Sequence, residues 1–187
     1  MDKKRVIKET LPLLFLLVLG GALAGSVLAN METVLKKIPG LIVIVPAVIG
    51  MRGNISTTLS SRLGSAYHLG MLESGLTSEV GKENIKASLA LSIFTSALFP
   101  VLLYPLSFFL PFEVSSLIIG TIFLISIATG MSSAFILIVL TFSIVATSIK
   151  FDLDPDNISG PVLTTVGDVF TLLMMFGYAK LFGWLIL

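Results

Sequence analysis

Val114 to Ile149 reads VSSLIIGTIFLISIATGMSSAFILIVLTFSIVATSI, 36 residues without one ionisable side chain. As a helix it is about 54 Å long at 1.5 Å per residue, against roughly 30 Å of bilayer hydrocarbon. Such a run must tilt, bend near Gly130, or project beyond the lipid. The rest of the chain agrees with this stretch. Of 187 residues, 55% are hydrophobic and only 12% charged, with a mean hydropathy of +1.03. A soluble domain carries about 25% charged residues, so the solvent for most of this chain is lipid. The net charge of +1 gives no basic surface for nucleic acid. Cysteine is absent, which removes disulfides, thiolate metal sites and cysteine nucleophiles.

Working outward from that run, four further segments have the length and apolarity of a span. They are Leu11–Ala29, Ile38–Leu63, Ile85–Leu103 and Gly160–Leu187. The expected fold is therefore all-α: a single polytopic membrane domain over 1–187 with five transmembrane helices. Arg52, Gly53 and Asn54 predict an interruption of the second helix near Gly50–Asn54. Val27-Leu28-Ala29 has the form of a leader cleavage site, but the segment reads as the first transmembrane helix. Pro39-Gly40 is expected to open the second helix, and Tyr104-Pro105 to stop the third, since the residue before proline avoids helical geometry. Asp152 to Gly160 reads as a polar turn, with Pro161 starting the fifth helix.

Basic residues predict orientation. With the N-terminus inside, Lys3, Lys4, Arg5, Lys8, Arg62, Lys82, Lys86 and Lys150 are cytoplasmic. Only Lys36, Lys37 and Lys180 are outside. The expectation is a multi-pass cell-membrane protein with a cytoplasmic N-terminus.

Polar residues inside spans carry the functional signal, because charge in hydrocarbon is costly and faces a cavity or a partner. Asp168 is the one acidic residue well inside a predicted span. Thr164 and Thr171 lie about one turn either side of it, with Thr165 adjacent, so helical spacing makes a polar stripe. Either this stripe lines an ion path, or Asp168 pairs with Arg52 or Arg62 to lock helices together. In the second span Gly50, Asn54 and Thr58 are spaced by four, with Thr57 and Ser61 beside them. Carbonyl and amide oxygens there suit a hard cation such as magnesium or calcium. Small residues at this spacing equally suit close helix packing. Gly21 and Gly25 read as packing, and Ser126, Thr129, Ser132 and Ser133 as a weaker polar face. Asp152, Asp154 and Asp156 alternate like the start of an EF-hand loop, but Asn157 replaces its glycine and Leu163 its closing glutamate. His68 stands alone. No phosphate loop, nucleophile elbow or metal-ligand spacing appears, so the chain is not read as an enzyme.

Two segments resemble a known family. Pro46-Ala47-Val48-Ile49-Gly50-Met51-Arg52-Gly53-Asn54, followed by Ser61-Arg62-Leu63-Gly64, resembles the second-helix signature of MgtE-type magnesium transporters and their eukaryotic solute-carrier relatives. Asp154-Pro155-Asp156, then Gly160-Pro161-Val162-Leu163-Thr164-Thr165-Val166-Gly167-Asp168, resembles the start of that family's fifth helix. The resemblance implies a homodimer that transports divalent cations, with Mg2+ as the transported ion and no cofactor. It implies a pore built from helices two and five at the subunit interface. Asp168 and Asn54 match family site residues, and Gly50, Thr58 and Thr164 match positions lining the same site, with Thr165 beside them. Arg52 resembles the solute-carrier side, where bacterial members usually have a small residue. A sodium- or proton-coupled exchanger with Asp168 as its coupling site is the nearest alternative, and a non-transporting membrane scaffold the next.

Overall fold

The computed structural model describes residues 3–72, 78–151 and 155–186, all of them helices or short connections. In order these are α1 (Lys3–Asn30), α2 (Glu32–Lys37), α3 (Leu41–His68), α4 (Glu79–Leu106), α5 (Ser116–Lys150) and α6 (Pro155–Phe182). One-turn 3-10 segments follow α4 at Ser107–Phe109 and α6 at Gly183–Ile186. Among the described residues there is no strand. Asp152 and Asp154 of the acidic triad, and the side chain of Asp156, lie outside the described residues.

Among the described residues, four helical stretches are long and apolar enough to cross a membrane: Leu41–His68, Glu79–Phe109, Ser116–Lys150 and Ile158–Leu185. The described part of α1 adds a further apolar stretch at Leu17–Asn30. Large apolar side chains also cover the outside of the bundle: Phe94 is 65% exposed, Val101 60% and Phe135 68%. Water would not tolerate that surface, whereas lipid is its natural solvent. The chain is a multi-pass membrane protein.

Local chemistry sets the helix ends. Ser78 and Ser115 cap α4 and α5 by accepting from the amides of Gly81 and Ile118. At the end of α3, Gly70 adopts φ +70°. Its amide donates to the Tyr67 carbonyl, and the Met71 amide to the Ala66 carbonyl. This paired closure needs a left-handed residue, which glycine supplies without strain.

Three expectations about helix boundaries are corrected. α3 runs unbroken through Gly50–Asn54. Opening it inside lipid would strand backbone donors and acceptors. The Thr57 hydroxyl instead donates to the carbonyls of Gly53 (2.9 Å) and Asn54 (3.2 Å). α4 passes Pro105 and ends at Leu106. α6 begins at Pro155, so that proline occupies the first helical position and Pro161 lies inside the helix. The expected turn at 155–160 is helical, and the Ser159 hydroxyl donates back to the Pro155 carbonyl.

α6 is the central helix, packed against α1, α3 and α5, while α4 packs on α3 and α5. One apolar cluster joins Ile38, Leu41, Ile44 and Val48 of α3 and its lead-in to Leu103, Ile125, Leu172 and Met175. A second joins Leu59 and Leu63 to Ile138, Phe142 and Val145. Between them along α3 lie buried Arg52 and Ser56, and on neighbouring helices buried Ser92, Ser96, Thr129 and Ser133. The core is thus apolar towards both ends and polar across its middle.

Candidate functional site

Glycines bring α6 close to two helices at one level. A Cβ on Gly53 of α3 would stand 3.2 Å from Thr164 Cγ2, and one on Gly20 of α1 would stand 2.5 Å from Thr165 Cγ2. Asp168 follows these threonines by four and three residues, so it sits on the strip of α6 between its α1 and α3 contacts. Its side chain leans back towards them. Asp168 is half-buried, and no hydrogen bond or ion pair reaches it from the described residues.

Pairing of Asp168 with an arginine is not what holds the helices. Arg52 is 2% exposed and points to α4 instead. Its Nη2 donates to the Ser92 carbonyl (3.2 Å) and to Ser96 Oγ (2.9 Å). Arg62 is exposed. Sequence reasoning looked only for a carboxylate partner and missed Ser92 and Ser96. Their signal was the row Ser88, Ser92 and Ser96, spaced by four along α4.

The sequence-predicted residues fall into two groups. Thr164, Thr165 and Asp168 line the α6 strip. The Thr164 hydroxyl donates to the Gly160 (3.1 Å) and Pro161 (2.9 Å) carbonyls, leaving its methyl against Gly53. Gly50, Asn54 and Thr58 lie on an exposed face of α3, with Ser61 and Ser65 continuing it. The Asn54 amide and Thr58 hydroxyl have no hydrogen-bond partner among the described residues. Both edge a groove of about 200 Å³ between α3 and α4, together with Arg62, Ser88 and Thr95. Thr171, expected beside Asp168, is fully buried with its hydroxyl unpartnered. His68 lies at the exposed end of α3 against Tyr67, with ring centroids 5.7 Å apart.

Among the described residues no three His, Cys, Asp or Glu side chains come together. One carboxylate with nearby neutral oxygens cannot strip a magnesium ion of its water, but it can hold a hydrated one, since Mg2+ keeps several waters and takes only one or two carboxylates.

Residues 45–178 match the family model "MgtE: Divalent cation transporter", a span that contains the α3 face, the α6 strip and the close crossing of Gly53 with Thr164. The chain is similar to the magnesium transporter MgtE of Bacillus subtilis (strain 168), 32% identical over 183 residues, covering 92% of this chain and 36% of that one. It is 28% identical over 169 residues to solute carrier family 41 member 2 of Xenopus laevis, covering 83% of this chain and 28% of that one. Against solute carrier family 41 member 3 of Rattus norvegicus it is 28% identical over 169 residues, covering 82% and 34% respectively. The chain therefore spans about a third of the length of these relatives. These relatives are transporters, not enzymes. With most of its helical bundle matched, the chain belongs to the MgtE family of divalent cation transporters.

Proposed function

We propose that this chain carries divalent cations, Mg2+ foremost, across a cell membrane along a path lined by α3 and α6 where two copies meet. The observation that carries this is Asp168, a half-buried carboxylate inside a span with no cation of the described protein against it. A buried negative charge in lipid demands a counter-ion, and a hydrated divalent cation supplies one. Thr164, Thr165, Gly50, Asn54 and Thr58 are the neutral groups of the same path. In this reading α1 is a fifth span, the N-terminus is cytoplasmic and the C-terminus is outside.

The homodimer rests on the α3 face. Gly50, Asn54, Thr58, Ser61 and Ser65 are exposed on one chain, and in a membrane that places an unpartnered amide and several hydroxyls against lipid. A second copy buries them and sets two Asp168 strips along one path. The native chain has no cysteine, so the test is clean. Ser61→Cys is expected to form a disulfide-linked dimer in native membranes, while Phe135→Cys, on the lipid face of α5, is not. Equal crosslinking at both positions, or none at Ser61→Cys, would remove this interface.

The function is tested with the purified chain in liposomes loaded with a magnesium-sensitive dye. Saturable Mg2+ uptake without an imposed sodium or pH gradient is the expected result. Uptake that requires either gradient would replace the channel reading with coupled exchange, and no uptake would leave a scaffold.

A further inference from the structure

A second feature lies on the far side of α1 from α3. Two adjoining grooves, of about 540 and 470 Å³, run along α1, α2 and α6 and share Thr33 and Lys180. One half is walled by Leu23, Val27, Val169, Leu173 and Phe176, with the Ser26 hydroxyl turned back onto the Ala22 carbonyl. The other end keeps an apolar floor of Val34, Ile38 and Ala179 but carries the groove's charged and aromatic side chains, Lys37, Lys180 and Trp184, with Asn30 and Thr33 beside them. From Leu23 to Asn30, the end of α1, is about 10 Å of helix, and the groove continues past Met31 along α2 to Lys37, so its length is comparable to one leaflet of a roughly 30 Å hydrocarbon core. The groove is therefore apolar along its length with its positive charge gathered at one end, the order in which a phospholipid carries its acyl chains and its headgroup. Trp184 marks the interfacial end, where tryptophan settles in membranes.

The charge at that end is uncompensated. Lys36 is taken by Glu32 at 2.5 Å. Lys37 and Lys180 are exposed and have no ion pair among the described residues. Lys180 Nζ stands 4.2 Å above the Phe176 ring, which holds it over the groove rather than out in solvent. We infer that this groove binds one anionic phospholipid, its phosphate between Lys37 and Lys180 and one acyl chain against Leu23, Val27 and Leu173. The occupant lies across the seam between α1 and α6, the two helices that meet at Gly20 and Thr165 one turn from Asp168.

The test uses the full chain in nanodiscs of phosphatidylcholine, with or without phosphatidylglycerol, followed by native mass spectrometry and thermal unfolding. Wild type is expected to retain phosphatidylglycerol selectively and to unfold at a higher temperature in its presence. Inorganic phosphate added to phosphatidylcholine discs is expected to have no effect, which separates a lipid site from a free-anion site. Each lysine near an anionic headgroup contributes about fivefold, so Lys37→Ala with Lys180→Ala should weaken retention about 25-fold. Lys36→Ala, which removes an equal charge outside the groove, should leave retention unchanged. Leu173→Trp keeps every charge but fills the apolar half, and should expel the lipid as well. Equal loss in the Lys36→Ala variant would show unspecific surface attraction and overturn the inference. So would retention unchanged in Leu173→Trp, or dissociation of a crosslinkable dimer by the groove variants, which would make the groove a subunit interface.

Discussion

Asp168→Asn is expected to lower Mg2+ flux by at least about 10-fold while leaving the protein as stable as wild type or more so. The flux loss follows from removing the one charged ligand in the path; a hydrogen bond to a charged group contributes about 1.5–3 kcal/mol, and 1.4 kcal/mol is tenfold in binding. The stability result follows from the surroundings of Asp168. No arginine meets it, because Arg52 is bonded to Ser92 and Ser96 on the other side of α3. Removing its charge therefore leaves no cation orphaned and relieves a carboxylate that lipid disfavours. Asp168→Glu, which keeps the charge but moves it by one methylene, should retain an intermediate flux. The measurements are thermal unfolding and liposome flux on the same preparation. Wild-type flux in a folded Asp168→Asn variant would end the assignment of Asp168 as the cation residue. Lost sodium or pH coupling with divalent binding intact would turn the assignment towards exchange.

The apolar architecture was legible because lipid leaves few choices. The run at 114–149 became α5 at Ser116–Lys150 with little change, since an uncharged segment of that length has no stable form in a membrane except a helix. Boundaries were less legible where the chain punctuates itself with proline and acid. Asp152 to Gly160 carries the composition of a turn, yet Pro155 serves as a first helical residue and α6 starts there. Gly50–Asn54 looked like a break, but Gly53 acts in packing, where α3 meets Thr164 of α6, while Gly50 lies on the exposed face with nothing within 4 Å of a Cβ. The site divides along the same line. Helical spacing put Thr164, Thr165 and Asp168 on neighbouring positions of α6, and Gly50, Asn54 and Thr58 on one face of α3. Spacing within a helix cannot say what faces it. The partners of Arg52 are 40 and 44 residues away in sequence, and nothing local marks them as neighbours. Thr171 illustrates the same limit: three residues from Asp168, it turns into the core rather than along the α6 strip.

Gly130→Val is expected to be the most damaging single change outside the ion path. A Cβ at Gly130 would run into Ser96 Oγ and stand 2.8 Å from Ser96 Cβ and 2.9 Å from Arg52 Nη2. All three atoms are backed by the α3–α4 packing, so no flexible end gives way. Overpacking of this kind typically costs about 1–3 kcal/mol. Here it also displaces Ser96, the side chain that accepts from Arg52, leaving Arg52 only the Ser92 carbonyl, and losing a hydrogen bond to a charged group costs about 1.5–3 kcal/mol. Taking about 2.5 kcal/mol as the combined lower figure, the unfolding midpoint should fall by roughly 5–10 °C for a chain of this size. The same helix carries its own control: nothing lies within 4 Å of a Cβ at Gly120. Gly120→Ala should therefore be neutral or mildly stabilising, since alanine is favoured over glycine in a helix by up to about 1 kcal/mol. Two second-site changes separate steric clash from lost pairing. Ser96→Gly in the Gly130→Val background makes room but leaves Arg52 one acceptor short, so it should recover only part of the loss. Arg52→Met in that background removes the charge that needs pairing and trims the clash, and should recover more. If Ser96→Gly restores the midpoint fully, the Arg52–Ser96 bond adds nothing to how α3 is held to α4. If Gly130→Val unfolds no earlier than Gly120→Ala, the close crossing of α4 and α5 at Ser96 is wrong.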